Sequence, residues 1–315
     1  MFFFIDGLGL GDDEDYNPAR QLFDGITGFP FVASSAPGEF SRGVLISADA
    51  TGGVRGLPQS ATGQTTLITG VNAAARLGYH LTALPNRILV ELIRERGIMR
   101  LLADGGVTVT ASNLYTHEFF AQRERMEKQR GKNSLPVSAL TIRSSGTPFR
   151  YPEDYARGRA IFTDLTNRFL QDRGYDIPLI TASEAAQRMV AILDDADFVF
   201  HEYFATDSYA HKKQTEDLDR ALKEIDHFFH TLLNLVNLKE TAILAVSDHG
   251  NCEDSRSSNH NRNPVPVLLF SQNETARAKF RDITSLEDVQ AGILAYFGLG
   301  DQREPPAETA NEPRG

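Results

Sequence analysis

The sequence has one cysteine, Cys252, no tryptophan, and no surplus of cations: its net charge is -10. A single cysteine excludes an internal disulfide framework and fits a reducing compartment, so a cytoplasmic location is expected. The acidic balance argues against a duplex nucleic-acid partner, because a phosphate backbone demands a basic face. Long apolar runs are missing too. None approaches the ~18 residues that a membrane span requires, so no membrane association is expected. The apolar opening Met1-Phe2-Phe3-Phe4-Ile5 stops at Asp6, before a signal-peptide core could form. Internal repeats are absent, and nothing in the chain speaks to its oligomeric state. What is present, 41% hydrophobic and 23% charged over 315 residues, is the composition of an ordinary globular protein. Its length suits one large domain, or a core carrying a smaller insert.

Short apolar runs read as buried strands over 2–5, 44–46, 107–110, 198–200, 242–246 and 265–270. Helical patterns lie between them, at 86–103, 185–193, 216–235 and 285–297. Leu218, Ala221, Leu222 and Ile225 recur at helical spacing and should bury one face. Strands alternating with helices predict an α/β fold: a mostly parallel central sheet with helices on both faces. Residues 112–180 are more polar and broken by Gly131, Pro136, Gly146, Pro148 and Pro152, so they read as a cap inserted into a core of 1–111 and 181–300. The tail 301–315, rich in Pro and Glu, is expected to be disordered.

Ligands of open α/β sheets bind beyond the carboxyl ends of the strands. There the sequence places Asp6, directly after the first run, and Asp207 with His211, after the run through Phe200. Asp248 and His249 follow the run 242–246, and His260 stands shortly before 265–270. Each has an ordinary explanation when taken alone. An Asp after a strand caps a helix or makes a turn. An Asp-x-x-x-His pair decorates a helix surface, Asp248-His249-Gly250-Asn251 makes a turn, and His260 in its Ser/Asn-rich loop is solvated. All of them falling at one edge of one sheet changes the balance. Three Asp and three His offer mixed oxygen and nitrogen ligands, suited to Zn²⁺ or Mn²⁺ rather than Ca²⁺. One further segment, Leu57 to Gly70, leads small hydroxyl residues from a loop into an apolar helical turn. Ser60 either caps that helix or uses its free N–H groups to stabilise an oxyanion or phosphate.

This set resembles the alkaline phosphatase superfamily, in particular the branch of cofactor-independent phosphoglycerate mutase and phosphopentomutase. The order matches: an early Asp, a Ser/Thr nucleophile, Asp-x-x-x-His, Asp-His-Gly-Asn, then His260 before Asn263-Pro264-Val265-Pro266. The segment Ser60–Gly70 is also similar to the nucleophile segment of nucleotide pyrophosphatases, and that overlay selects Ser60 rather than Thr62 or Thr65. The likeness covers roughly residues 1–75 and 195–300. Gln64 departs from it, standing where both relatives carry His, as does Ala210, which replaces a frequent Gly. Residues 76–194 match nothing in it. The resemblance implies two divalent ions, Mn²⁺ or Zn²⁺. Asp6, Asp248, His249 and Ser60 would hold one; Asp207, His211 and His260 would hold the other. It further implies phosphoryl transfer through a phosphoserine at Ser60, on a small anionic phosphate ester, by a phosphomutase or phosphatase. Asn251 and Glu253 would support the site or only the fold.

The alternatives are a phosphodiesterase or nucleotide pyrophosphatase of the same superfamily, and a non-catalytic metal-binding module. Dinucleotide binding at Asp6-Gly7-Leu8-Gly9-Leu10-Gly11 fails, because the spacing is wrong and Asp12-Asp13-Glu14-Asp15 would repel a pyrophosphate. A serine hydrolase lacks G-x-S-x-G and leaves four of the ligand candidates without a role. A sulfatase lacks its Cys/Ser-x-Pro-x-Arg motif. For the substrate, the basic stretch Arg123, Arg125, Lys128, Arg130, Lys132, Arg143 and Arg150 is the candidate grip, with Arg143 and Arg150 as the expected contacts.

Overall fold

The computed structural model describes residues 1–300, and the tail expected to be disordered lies outside them. Seven strands form one sheet: β1 (Phe2–Ile5), β2 (Gly38–Phe40), β3 (Gly43–Ala48), β4 (Val109–Ala111), β5 (Phe198–Tyr203), β6 (Ile243–Ser247) and β7 (Val265–Phe270). Their order is β2-β3-β7-β6-β1-β5-β4. The centre and one edge, β6-β1-β5-β4, are parallel. β7 runs antiparallel to both β6 and β3, and β2 runs antiparallel to β3. The α/β class with a mostly parallel centre is therefore what the chain adopts.

The unbroken apolar runs are explained by burial on both faces, since successive side chains of a strand point to opposite sides. Phe3, Ile5, Val199, Tyr203, Ala245 and Phe270 enter one core, with the helices Ala182–Leu193 and Thr215–Leu235 above it. Phe2, Phe4, Phe200, Val246, Val267 and Leu269 enter the other, with Ser60–Thr69, Arg87–Arg96, Ile98–Asp104 and Leu286–Tyr296. The helix expected over 86–103 is two helices, because the backbone turns extended at Gly97. The edge strand β2, only three residues long, had no run to announce it.

Residues 112–180 contain helices of their own, notably His117–Arg130 and Val137–Ser144. The second packs against Ser60–Thr69, Arg87–Arg96 and Ile98–Asp104. Leu135, Leu140 and Ile142 join one core, while Ile161, Leu165 and Leu170 join the other. The segment thus contributes side chains to both layers. No helix among the described residues is long and apolar enough to cross a membrane.

Candidate metal centre

The strand register builds the site. In the central strand β1, Ile5 lies level with Ser247 of β6 on one side and Tyr203 of β5 on the other. The next residue of β1, Asp6, and that of β6, Asp248, therefore leave the sheet side by side. Beyond β5 the short helix Ala205–His211 sets Asp207 and His211 one turn apart on a single face. Gly7 follows Asp6 at a positive φ, and a Cβ there would lie 2.6 Å from Asp207 Oδ1. Only glycine lets those two strand ends close together.

His249 is fully buried, and its Nε2 lies 3.4 Å from Asp6 Oδ1, 3.4 Å from Asp248 Oδ2 and 3.0 Å from Ser60 Oγ. Three oxygens meeting at one ring nitrogen is not the geometry of a Ser-His-Asp triad, in which the acid holds Nδ1 while the serine holds Nε2. Here His249 Nδ1 has no hydrogen-bond partner. On the other side, His211 Nε2 and His260 Nε2 stand 2.9 Å apart, at 3.4 and 3.6 Å from Asp207 Oδ1. The His260 ring stacks on His249, centroid to centroid 3.7 Å, and joins the two halves. His260 is 8% exposed, so its polar loop does not leave it solvated.

The hydroxyl choice also has a local cause. Thr62 Oγ1 donates to Gln59 O and Thr65 Oγ1 donates to Ala61 O, so both are bonded to backbone carbonyls. Ser60 opens the ten-residue helix Ser60–Thr69, whose N-cap residue Gln59 makes no side-chain cap. Its oxygen thus sits where backbone N–H groups lack helical partners. Gly63 lets this helix approach β6: a Cβ there would lie 2.7 Å from the Asp248 carbonyl.

The cluster fits divalent cations. His211 Nδ1 lies 2.7 Å from Ser258 O and His260 Nδ1 lies 2.8 Å from Pro58 O. A carbonyl only accepts, so both Nδ1 atoms carry hydrogen and the neutral rings turn bare Nε2 lone pairs toward each other. Such an arrangement suits a shared cation. Asp6 Oδ1 and Asp248 Oδ2 are buried without any hydrogen-bond partner, so the chain itself leaves them unsatisfied. Burial first, then Asp248 and Asp207, holds the Asp6 carboxyl well above the usual carboxylate range. Burial and Asp207 do the same to Asp248. Burial, helped by His260, keeps His249 well below the ordinary imidazole value. Metal charge would reverse the penalty on the carboxylates and accept the neutral imidazole. The ligand atoms fall into the groups Asp207, His211, His260 and Asp6, Asp207, His249, so Asp207 stands between the halves.

Supporting contacts come from residues that the motif reading left undecided. Asn251 Nδ2 donates to Asp207 Oδ1 at 2.8 Å, and Gln64 Nε2 to Asp6 Oδ2 at 3.3 Å. Glu253 accepts from Gly9 N, Asn251 N, Asn261 Nδ2 and Asn263 Nδ2, pinning three loops together. Its signal was its place two residues after Asn251 in an Asp-His-Gly-Asn-x-Glu string. Cys252 is buried and is not among the metal-ligand groups of the described residues. Two arginines were expected at the substrate. Arg150 is turned inward, donating to Ala111 O, Arg159 O and Thr110 Oγ1. Arg143 is exposed in the last turn of Val137–Ser144.

Residues 174–301 match the Metalloenzyme superfamily. The 2,3-bisphosphoglycerate-independent phosphoglycerate mutase of Thermococcus kodakarensis is 27% identical over 169 residues, 49% of this chain and 40% of that protein. The corresponding mutase of Pyrococcus horikoshii is 27% identical over 165 residues, 47% of this chain and 39% of that one. The match thus spans about two fifths of the length of these relatives. Among solved structures, the alkaline phosphatase of the Antarctic bacterium TAB5 superposes with a TM-score of 0.52 at 13% identity, covering 95% of this chain and 98% of that one. The PH0037 protein of Pyrococcus horikoshii gives 0.56 at 15% identity, covering 96% and 98%. The chain carries an alkaline phosphatase-like fold whose residues 174–301 match the Metalloenzyme superfamily, and the resemblance read from its motifs holds at that level.

Proposed function

We propose that this protein is a metal-dependent phosphoryl-transfer enzyme acting on a small anionic phosphate ester, with Ser60 as nucleophile. The observation that carries the reading is the position of Ser60 Oγ, 3.0 Å from His249 Nε2 at the open start of a helix. Asp6, Asp248, His249 and Ser60 would hold one divalent ion, and Asp207, His211 and His260 the other. The donor set suits Mn²⁺ or Zn²⁺. Bound there, such ions supply Lewis-acid neutralisation of phosphoryl oxygens and a lowered pKa for the serine hydroxyl.

The chain's own residues do the rest. Ser60 Oγ attacks phosphorus: the Oγ–P bond forms, the ester P–O bond breaks, the serine proton leaves to solvent and the departing oxygen takes one up. Free N–H groups at the helix start stabilise phosphate on Ser60. Water or a substrate hydroxyl then accepts the phosphoryl group and restores the serine. Water as acceptor makes a phosphatase, a hydroxyl of the same substrate a phosphomutase. Gln64 and Asn251 hold Asp6 and Asp207 in place throughout. The names of the relatives, a mutase and a phosphatase, support this class, and the cytoplasmic location stays part of the proposal. The test is metal-loaded protein against a panel of phosphate monoesters, scored for phosphate release and for isomerised product. Quenched samples should carry phosphoserine at residue 60, and Ser60→Ala should lose turnover while keeping its metal. Neither product across the panel would overturn the reading.

A further inference from the structure

We infer that Thr206 is a positioning residue: through the main chain of Asp6 it fixes the distance between the two halves of the metal centre. The inference rests on the two-ion reading proposed above and adds the residue that spaces the ions. Thr206 is fully buried in the short helix Ala205–His211, directly before Asp207. Its Oγ1 donates to the Asp6 carbonyl at 2.5 Å, across 200 residues of chain. Asp6 N in turn donates to Tyr203 O at 2.9 Å, the next link of the β1–β5 ladder. The backbone of Asp6 is therefore held at both ends by the segment that carries Asp207.

Buried threonine hydroxyls such as those of Thr65, Thr69 and Thr141 bond the carbonyl four residues back in their own helix. Thr206 does not. The residue four before it is Glu202, in β5, whose carbonyl already accepts from Asn113 Nδ2 and Thr163 Oγ1. Its hydroxyl turns to β1 instead. Two other contacts join the halves, the Asn251 amide on Asp207 Oδ1 and the stacking of His260 on His249. Both run through side chains that would themselves hold the ions, so their geometry follows the cations. The Thr206 bond meets only a main-chain carbonyl and leaves every ligand atom free. Gly7 lets the two strand ends approach, and Thr206 keeps them from parting. An in-line displacement clamped by two ions needs them about 3.5–4 Å apart, and a misplacement of about 1 Å costs on the order of a hundredfold in rate.

The experiment loads wild type and variants with Mn²⁺. Elemental analysis counts the ions, and electron paramagnetic resonance reads the coupling between them, without turnover. Wild type should hold two spin-coupled ions. Thr206→Val keeps the shape and removes the donor, so it should still bind two ions, with their coupling weakened and spread over a range of distances. Thr206→Ala should do the same, and Thr206→Ser, which keeps a hydroxyl, should recover the wild-type spectrum. Thr141→Val is the matched control: it removes a buried hydroxyl bonded within its own helix, and should lower the melting temperature while leaving the coupling as it is. Wild-type coupling in Thr206→Val and Thr206→Ala, or an equal loss of coupling in Thr141→Val, would overturn the inference. Fewer than two ions on wild type, or two uncoupled ions, would overturn it together with the two-ion reading.

Discussion

Buried carboxylates at one edge of the sheet are treated in opposite ways. Glu253 is fully buried, and its two oxygens accept four hydrogen bonds of 2.6 to 3.0 Å. Asp6 and Asp248 are as deeply buried, yet among the described residues Asp6 Oδ1 and Asp248 Oδ2 have no hydrogen-bond partner. Burying an unsatisfied carboxylate oxygen costs several kcal/mol, so a fold retains it only where something outside the chain satisfies it. Glu253 is satisfied from within and holds loops; Asp6 and Asp248 are aimed outward in chemical terms, at a cation. Burial alone does not separate structure from function here. The hydrogen-bond accounting does.

The sharpest way to break that contrast is to remove an unsatisfied acid. Asp248→Ala should lower turnover at least about a thousandfold and cost the protein bound metal, while the metal-free protein melts no earlier than wild type. Elemental analysis beside a thermal melt checks both halves. Unchanged metal content would break the contrast from the functional side.

Glu253→Ala should show the reverse pattern. Four donors lose their acceptor, so the fold should be destabilised by about 3–5 kcal/mol in urea titration. Metal binding should then weaken only in proportion as the loops loosen. A variant as stable as wild type would mean that the network is decoration.

His201 sharpens the comparison, because an unsatisfied atom alone does not make a site. Its Nδ1 pairs with Ser112 Oγ at 2.8 Å and Phe3 lies 4.9 Å away, ring to ring, but among the described residues its Nε2 has no hydrogen-bond partner and no carboxylate forms an ion pair with it. Burial pulls this imidazole down to about 3. The folded protein therefore holds the ring neutral where the unfolded chain, near 6.5, takes a proton. The stability this contributes is present above pH 6.5 and is lost as pH falls toward 3, on the order of 5 kcal/mol. His201→Leu should flatten that part of the stability–pH curve, and an unaltered slope would show that other groups carry it.

Much of this was legible because strand ends and burial leave plain marks. Phe2 to Ile5 and Val265 to Phe270 are apolar without interruption, since both faces of those strands are covered, and Asp6 stands where the first run stops. Asp207 and His211 carry helical spacing. His260 was harder, because its loop composition says solvent, and only the stacking on His249 and the bond to Pro58 bury it. The Asp207 position between both ligand groups depends on how close Gly7 lets two strand ends come, a distance that spacing does not encode. Glu253 was left between a role in the site and one in the fold alone, and the convergence of Gly9, Asn261 and Asn263 on it is not written in the spacing. Residues 112–180 read as a cap because they are polar and punctuated by prolines and glycines; what that punctuation did not show is the short helices between, whose apolar sides, such as Leu140 and Ile142, reach the core.

The same accounting of charges spent inside the chain applies to Arg150. Arg150 is one of seven basic residues in a stretch whose density suggested substrate recognition. In the fold its guanidinium ties the end of β4 to the following loop through Ala111 O, Thr110 Oγ1 and Arg159 O, with Asp195 at 3.7 Å. Burial lowers its pKa from the ordinary arginine value, which fits an interior cation that spends its donors on carbonyls. Arg150→Ala should therefore destabilise the protein by about 1–3 kcal/mol, the size expected when buried carbonyls lose charged donors. It should leave the Michaelis constants of a carboxylated ester and of an aryl phosphate in their wild-type ratio. Arg143→Ala, on an exposed helix end, should leave both stability and that ratio where they are. If Arg150→Ala shifted it while urea titration showed no loss of stability, the internal hydrogen bonds would not be what keeps Arg150 in place, and the basic stretch would return as the surface that reads the substrate.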